Sequence, residues 1–200
     1  MERRKNQGFV FSMATLLLAL AASPIKADDQ AYFLAGGQFG TVDLTTGAVT
    51  LVGMPSYNLG FTAGLGELGG TLYTAGYGAG GTLYTVNPKS GALNPVGNSS
   101  IIYFSLGSTT TGLYAAGWPA GTNINTQPPL YFCSIDPRTA AARQIGQFGV
   151  SPGFYGWSFS TGSSTLYFAD WENLYSIDVN SGSATVNRRH ERPNSVWTHI

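Results

Sequence analysis

Ile177-Asp178-Val179-Asn180-Ser181-Gly182 is one of four copies of a short phrase in this 200-residue chain, and their recurrence indicates the type of fold. The shared pattern is a β-branched residue, Asp or Asn, two variable residues, Ser or Thr, and then Gly or Ala. An Asp or Asn side chain hydrogen-bonds the backbone two residues on, and Gly adopts the left-handed conformation that closes a hairpin. Each copy therefore predicts a tight turn between two strands, and the other copies are residues 42–47, 86–91 and 135–140.

Strand-like phrases recur around each turn. Leu-Tyr precedes three of the turns, and a phrase of Leu-Tyr, one variable residue and Ala begins at Leu72, Leu113 and Leu166, with residues 32–36 as its degenerate first copy. An aromatic residue followed by a hydroxyl residue begins a unit, and a short run ending in Gly closes it. Four strand-length segments in about 40–50 residues are typical of a propeller blade. The aromatic–hydroxyl pairs are residues 61–62, 104–105, 157–158 and 197–198, and the closing glycines are Gly53, Gly97 and Gly146.

The sequence therefore predicts an all-β fold, a β-propeller of about four four-stranded antiparallel blades. The first unit begins at its second strand, whereas residues 195–200 resemble a first strand with nothing after it. Pairing these two ends would cover both open edges and close the ring. The alternative is a fragment of a larger propeller. The predicted blades are residues 31–53, 59–97, 102–146 and 155–188, and the predicted closing strand is residues 195–200.

Residues 1–27 have a different chemistry, that of a signal peptide. Arg3, Arg4 and Lys5 form a positive segment, and the apolar stretch 8–22 is shorter than a bilayer span of about 20 residues. We therefore expect cleavage near residue 27 and export, to the periplasm or the medium, of a propeller domain of residues 28–200. The alternative is an uncleaved N-terminal anchor. No later segment of the sequence is long and apolar enough to suggest a membrane span.

Charge and cysteine content exclude several classes of function. Residues 1–27 hold four of the ten Lys and Arg but one of the ten Asp and Glu, so the exported part is mildly acidic. A nucleic-acid partner has no electrostatic footprint in such a chain. Cys133 is the one cysteine, which rules out an intramolecular disulfide. It lies in an apolar strand pattern that predicts a buried, inert thiol.

The phrase Leu-Tyr-x-Ile-Asp-Pro-x-Thr-Gly, represented by residues 130–140 and 174–182, resembles the outer-strand repeat of bacterial exported β-propellers. The similar groups are the quinoprotein-dehydrogenase-like and the YVTN-type propellers, and the resemblance covers residues 30–188. It implies a propeller fold and export. Quinoprotein dehydrogenases end their repeats with a tryptophan-docking motif, whereas Val52, Val96 and Ile145 stand at those positions here. The resemblance therefore does not extend to the quinone cofactor.

Catalytic and metal-binding patterns are not recognisable in the repeats. His190 and His199 are the two histidines and both lie in the C-terminal tail, so we expect no Ser-His-Asp triad, no His-rich metal site and no cofactor. Asp178 begins a turn that lacks the later ligands of an EF-type calcium loop. A carboxylate pair, Asp170 with Glu172, is an acid–base alternative that the sequence leaves open. The sequence thus favours a non-enzymatic protein, and the alternative is a propeller enzyme of the hydrolase, lyase or quinoprotein kind.

Four aromatic residues are the candidate ligand-binding residues. Tyr77, Trp118 and Trp171 close the second strands of successive units, and Trp157 lies on a first strand. Equivalent positions of successive blades lie on one ring of a propeller, where aromatic side chains can bind a sugar or peptide or can pack between blades. Residues 117–129 form the longest insertion, and insertions often carry binding. The sequence therefore predicts an interaction module for an unidentified protein, peptide or glycan.

Overall fold

The computed structural model describes residues 30–35, 37–57, 59, 62–76, 81–123, 126, 128–148, 158–161, 163–170 and 173–189. These residues form fifteen strands and almost no helix. The strands build four antiparallel sheets arranged as the blades of a β-propeller, which confirms the predicted all-β fold. Within each sheet the strands pair in chain order, as expected when short connections join antiparallel neighbours. The predicted signal peptide and the predicted closing strand lie outside the described residues.

Blade 1 contains three strands among the described residues, and each later blade contains four. Blade 1 consists of β1 (Gln30–Ala35), β2 (Gln38–Asp43) and β3 (Val49–Gly53). Blade 2 consists of β4 (Thr62–Leu68), β5 (Thr71–Gly76), β6 (Thr82–Val86) and β7 (Leu93–Asn98). Blade 3 consists of β8 (Ile101–Ser108), β9 (Leu113–Pro119), β10 (Tyr131–Ile135) and β11 (Ala142–Gln147). Blade 4 consists of β12 (Ser158–Phe159), β13 (Leu166–Ala169), β14 (Asn173–Ile177) and β15 (Ala184–Arg189).

The recurring Asp or Asn phrase forms the turn before the outermost strand of each blade. The Oδ1 atom of Asp178 accepts a hydrogen bond from the Asn180 amide at 2.9 Å, and the Gly182 amide donates to the carbonyl oxygen of Asp178 at 2.8 Å. Ala140 replaces the turn glycine in blade 3 and has a φ of 63°. Left-handed backbone costs a non-glycine residue about 1–2 kcal/mol, and the complete burial of the Ala140 methyl offsets part of that cost. The same side-chain contact occurs at Asp43, Asn87 and Asp136.

The structure corrects the alignment of the first unit by one residue. Leu72 begins the second-strand phrase of blade 2, and Ala31 has the equivalent pairing partner in blade 1. Ala31 and Tyr32 therefore hold the Leu-Tyr positions, where the sequence pattern suggested Tyr32 and Phe33. A shift of one residue moves every side chain to the opposite face of a sheet. In the observed register the Tyr32 ring stacks on Phe39, with 5.6 Å between ring centroids.

Three apolar clusters fill the joints between consecutive blades. At each joint one large side chain is completely buried, and it lies on the strand before the outermost one, namely β2, β6 or β10. A glycine of the outermost strand pairs with it. The glycine permits close approach, because a Cβ atom at Gly146 would overlap the carbonyl oxygen of Ser181 in the next blade. The buried side chains are Phe39, Leu83 and Phe132, and their paired glycines are Gly53, Gly97 and Gly146.

The innermost strands β4, β8 and β12 contact one another. The Ser105 hydroxyl accepts a hydrogen bond from the Phe159 amide at 3.1 Å, and the Ser108 hydroxyl accepts one from the Glu67 amide at 2.9 Å. Both serine side chains are fully buried, so these bonds satisfy polar groups that water cannot reach. In blade 3 the hydroxyl residue of the aromatic–hydroxyl pair thus links neighbouring blades. The centre of the propeller is held by strand-to-strand hydrogen bonds in blades 2, 3 and 4.

Candidate binding cleft

A cleft of about 600 Å³ opens beside β1. Its walls come from β1, from blade 2 through β4 and β5, and from blade 4 through β12 and the residues that follow it. Residues far apart in the sequence, such as Tyr32, Leu65 and Phe159, meet there. The volume lies within the range of typical ligand pockets, about 300–1,000 Å³. The cleft is therefore the candidate functional site.

One wall of the cleft is an open strand edge. β1 is the edge strand of its sheet, and its residues 30–34 line the cleft. In the other blades the equivalent strand pairs with an innermost strand, namely β4, β8 or β12. No strand pairs with this edge of β1 among the described residues. An edge strand presents backbone N–H and C=O groups that can pair with an added strand.

The side chains of the cleft are largely apolar. Tyr32 lies on β1, Leu65 and Leu72 lie on blade 2, and Phe159 lies on blade 4. Tyr32 is 45% exposed, although the equivalent Tyr73 of blade 2 is 8% exposed. The tyrosine ring at this position is therefore exposed to the cleft in blade 1, whereas its equivalent in blade 2 is buried.

Hydroxyl groups, Gln30 and one carboxylate supply the polar character of the cleft. Thr161 donates from its hydroxyl to the carbonyl oxygen of Leu65 at 2.6 Å, which connects blade 4 to blade 2. Glu67 is the one charged residue among the residues that line the cleft. Its Oε1 atom accepts a hydrogen bond from the Gly70 amide at 2.6 Å, so the hairpin between β4 and β5 holds the side chain in place. A carboxylate at this wall favours cationic ligand groups.

Trp118, one of the four sequence-predicted aromatic residues, lies in the joint between blades 3 and 4. It is 7% exposed, and its ring meets Phe104 edge-on with 4.3 Å between ring centroids. Its Nε1 atom donates a hydrogen bond to the carbonyl oxygen of Pro128 at 2.8 Å, which ties the insertion of residues 117–129 to β9. These contacts are those of a residue that packs between blades. Tyr77, Trp157 and Trp171 lie outside the described residues, and their ligand-binding role stays a prediction.

Asp170, the described member of the sequence-predicted carboxylate pair, has structural partners. Its Oδ1 atom accepts a hydrogen bond from the Asn173 amide at 2.7 Å, and its Oδ2 atom accepts one from the Tyr175 hydroxyl at 3.0 Å. These bonds brace the hairpin between β13 and β14. Glu172 lies outside the described residues, so the structure describes one member of the predicted pair.

Two buried groups away from the cleft are held in their neutral forms. Cys133 is buried, as predicted, and burial raises the pKa of its thiol to about 11. Burial likewise raises the pKa of the Tyr103 phenol to about 12. Both side chains belong to the apolar cluster between blades 2 and 3. In the part of the chain that the structure describes, no group of three or more His, Cys, Asp or Glu could hold a metal ion.

The residues of the cleft were not among the site residues that the sequence predicted. One sequence signal pointed to its position, because the first recognisable repeat phrase of the chain is that of a second strand. That signal indicates the edge of β1 at which an innermost strand would pair. It does not identify Leu65, Glu67 or Phe159 as the facing residues, because their approach depends on how the blades are arranged.

Comparison with known proteins gives a distant structural likeness. No protein-family model matches the chain, and no curated protein matches it. Among solved structures, one titled "Oligogalacturonate lyase in complex with manganese" is similar, with a TM-score of 0.44 and 14% sequence identity. The match covers 77% of this chain and 46% of that chain, so this chain spans less than half of that structure's length. No described helix has the length and apolar character needed to cross a membrane.

Proposed function

We propose that this protein is an exported, non-enzymatic binding module that takes an extended peptide segment into the cleft beside β1. The open edge of β1 is the observation that carries the proposal. A peptide that adds to a sheet edge gains affinity from main-chain hydrogen bonds and specificity from pockets for alternate side chains. In this protein the peptide becomes the fourth strand of blade 1.

The two faces of β1 suit the alternating side chains of such a peptide. Tyr32 stacks on Phe39, whose side chain lies in the joint with blade 2, so this face of β1 is directed to blade 2. Successive residues of a strand point to opposite faces, and Phe33 therefore lies on the other face. An added strand would direct its own side chains alternately to these two faces. A peptide is favoured over a glycan because a glycan has no regular row of amide donors to pair with β1.

The charge of the cleft and the signal-like sequence of residues 1–27 add two further supports. Glu67 gives the cleft a negative wall, so peptides with Lys or Arg have an electrostatic advantage. Its carboxylate also accepts a hydrogen bond from the Gly70 amide, a contact that stabilises the hairpin between β4 and β5. Export is supported by the signal-like residues 1–27.

Peptide binding is tested with a fluorescent hexapeptide of alternating threonine and valine, followed by fluorescence anisotropy. We expect saturable binding to the full chain. Two copies of the peptide, N-methylated at one or the other set of alternate residues, distinguish strand addition from nonspecific adsorption. One row of peptide N–H groups faces β1, so one methylated copy loses binding and the other keeps it. Equal binding of both methylated copies would contradict the proposal.

A matched pair of substitutions locates the bound peptide. Ser158→Trp places a large side chain at an exposed position of β12 that lines the cleft, and we expect it to reduce the affinity at least about tenfold by steric exclusion. Thr185→Trp on β15 is the control, because Thr185 is an exposed residue of the same blade outside the cleft lining. Undiminished binding by Ser158→Trp would place the peptide elsewhere.

A further inference from the structure

We infer that the cleft beside β1 selects one peptide motif, which is Ser or Thr, then a large apolar residue, then Gly, bound antiparallel to β1. The inference rests on the proposed function, because it concerns the peptide that adds to this edge. Main-chain hydrogen bonds give such a peptide affinity, and the contacts of its side chains give specificity. The innermost strands of blades 2, 3 and 4 show which side chains fit beside a second strand of this protein.

The direction of the peptide follows from these innermost strands. β4, β8 and β12 each run antiparallel to the second strand of their own blade. β1 is the second strand of blade 1, and β2 pairs with its other edge. A peptide that takes the same place in blade 1 therefore runs antiparallel to β1. From its N-terminus it passes Leu34, Phe33 and Tyr32 in that order.

The residues of β1 are matched to those of the later second strands through their pairing with the third strands. Each second-strand phrase begins opposite the β-branched residue that precedes the Asp or Asn turn. The innermost-strand residues opposite equivalent places therefore predict what fits opposite β1. Leu34 corresponds to Ala75, Ala116 and Ala169, Phe33 to Thr74, Ala115 and Phe168, and Tyr32 to Tyr73, Tyr114 and Tyr167.

The place opposite Leu34 suits a hydroxyl residue. In blade 3 the equivalent place is filled by Ser105, opposite Ala116, and in blade 4 it is also filled by serine. The Ser105 hydroxyl accepts a hydrogen bond at 3.1 Å from the amide of Phe159 in the next blade. Leu65 is the residue of blade 2 equivalent to Phe159, and it lines the cleft. A Ser or Thr opposite Leu34 would therefore accept a hydrogen bond from the Leu65 amide.

The place opposite Phe33 suits a large apolar residue. The equivalent place is filled by Leu65 in blade 2, Leu106 in blade 3 and Phe159 in blade 4. The Phe159 ring meets its strand partner Phe168 edge-on, with 5.2 Å between ring centroids. Phe168 is the equivalent of Phe33, and apolar pairs across two strands stabilise a sheet. A large apolar residue of the peptide would form such a pair with Phe33.

The place opposite Tyr32 suits glycine, because the following blade lies close to it. Gly66 fills the equivalent place in blade 2, and Gly107 fills it in blade 3. A Cβ atom at Gly66 would overlap the side chain of Leu113 in the next blade. Leu72 is the residue of blade 2 equivalent to Leu113, and it lines the cleft. A side chain opposite Tyr32 would therefore meet blade 2.

Blade 4 indicates that the following blade, and not strand pairing, requires this glycine. Ser160 stands at the equivalent place, and its amide donates a hydrogen bond to the carbonyl oxygen of Tyr167 at 2.8 Å. Strand pairing thus accommodates a side chain there, and the described residues include no blade after blade 4. Blade 1, in contrast, is followed by blade 2, so glycine is selected opposite Tyr32.

The glycine is tested with two fluorescent hexapeptides, Thr-Ser-Leu-Gly-Ser-Thr and Thr-Ser-Leu-Val-Ser-Thr, followed by anisotropy with the full chain. We expect the glycine peptide to bind at least about tenfold more tightly, because valine would overlap blade 2. Valine has the higher strand propensity, so strand addition without this selectivity favours the valine peptide. Equal binding of the two peptides, or tighter binding of the valine peptide, would overturn the motif.

The direction is tested with the reversed peptide Thr-Ser-Gly-Leu-Ser-Thr, which has the same composition. In an antiparallel pair this order cannot place the hydroxyl, apolar and glycine residues opposite Leu34, Phe33 and Tyr32 together. We therefore expect the reversed peptide to bind more weakly than Thr-Ser-Leu-Gly-Ser-Thr. Binding at least as tight by the reversed peptide would overturn the antiparallel direction.

The register is tested with a double-mutant cycle between the peptide and the protein. Replacing the peptide leucine by alanine should weaken binding to the unchanged chain about tenfold and binding to Phe33→Ala less than about threefold, because the partner is already lost. Leu34→Ala is the matched control, since Leu34 is the next residue of β1 and lies on the opposite face. It should keep the full tenfold loss. The same loss in all three proteins would overturn the register.

Failure of the motif is distinguishable from failure of the proposed function. If the threonine–valine hexapeptide binds but the glycine peptide has no advantage over the valine peptide, the motif is wrong and the proposed function stands. If neither the threonine–valine hexapeptide nor Thr-Ser-Leu-Gly-Ser-Thr binds the full chain, the proposed function is wrong and the motif falls with it.

Discussion

Phe132 in blade 3 and Leu174 in blade 4 hold equivalent positions on consecutive third strands, and their surroundings differ completely. Phe132 is 0% exposed because blade 4 covers it, whereas Leu174 is 39% exposed. Each side chain is large and apolar. Burial at this position therefore depends on the neighbouring blade and cannot be deduced from the residue type.

The apolar residues on the outer side of blade 1 show the same dependence on a neighbouring blade. Leu93 of blade 2 faces blade 1 and is 4% exposed, while the equivalent Val49 of blade 1 is 61% exposed. Leu51, on the same face of blade 1, is 58% exposed. Apolar faces that are buried at the three described joints are therefore exposed on the outer side of blade 1.

Blade 4 differs from the joints in the residue that pairs with the third-strand side chain. At the joints a glycine pairs with the buried third-strand side chain and lets the next blade approach closely. At the equivalent place in blade 4, Arg188 pairs with Leu174. A Cβ atom at the glycine positions would overlap a backbone oxygen of the next blade. The position that is glycine at each of the three joints is therefore an arginine in blade 4.

The largest expected effect compares a buried side chain at a joint with its exposed equivalent. We expect Phe132→Ala to lower the free energy of unfolding by about 3–5 kcal/mol, because it leaves a cavity in the cluster between blades 3 and 4. Leu174→Ala is the matched control and should cost under about 1 kcal/mol, because water already reaches that side chain. Urea unfolding followed by tryptophan fluorescence measures both values. Similar losses would mean that the outer face of blade 4 is covered in solution.

A smaller effect is expected at the turn glycines. Gly182 and Gly47 have nearly the same backbone conformation, with φ values of 78° and 72°. A Cβ atom at Gly182 would lie 2.9 Å from the Cβ atom of Phe132, whereas one at Gly47 would meet no atom within 4 Å. Both Gly→Ala changes incur left-handed strain of about 1–2 kcal/mol, and Gly182→Ala adds an overpacking cost of about 1–3 kcal/mol. Thermal unfolding of the two variants measures the difference, and equal stabilities would show that the joint can relax without loss.

The smallest expected effect concerns acid. Hydrogen bonds from the Thr45 side chain and backbone lower the pKa of Asp43, and hydrogen bonds led by the Asn180 amide lower the pKa of Asp178. A carboxylate with a lowered folded-state pKa stabilises the fold above its ordinary pKa of about 3.9, and this contribution is lost as the pH falls through the lowered value. We expect Asp43→Asn and Asp178→Asn to reduce the acid sensitivity of urea unfolding by similar amounts, because both carboxylates are exposed. The two turns differ in that only the turn at Asp178 belongs to a joint. Asn87 already provides the neutral equivalent in blade 2. A clearly larger effect at Asp178 would show that the joint, and not the turn alone, sets the pKa.

Much of the fold could be predicted from the sequence because its determinants are local. The turn around Asp136 is closed by hydrogen bonds that span a few residues, so its sequence pattern is sufficient to identify it. The register of β1 could not be predicted in the same way. Its phrase is degenerate, and pairing with β2 placed Ala31, instead of Tyr32, at the first position of the phrase. The aromatic residues show the limit of recurrence, since Trp118 recurs with the repeat and packs in a joint.

Sequence patterns alone established the all-β class, the four units and the turns. These features depend on periodicity and on hydrogen bonds between near neighbours in the chain. The burial of particular apolar faces, and the meeting of Tyr32, Glu67 and Phe159 in one cleft, follow from the tertiary structure and from no sequence pattern. Such contacts join positions far apart in the sequence, and their distances are set by the way whole blades pack. No pattern within a single blade contains that information.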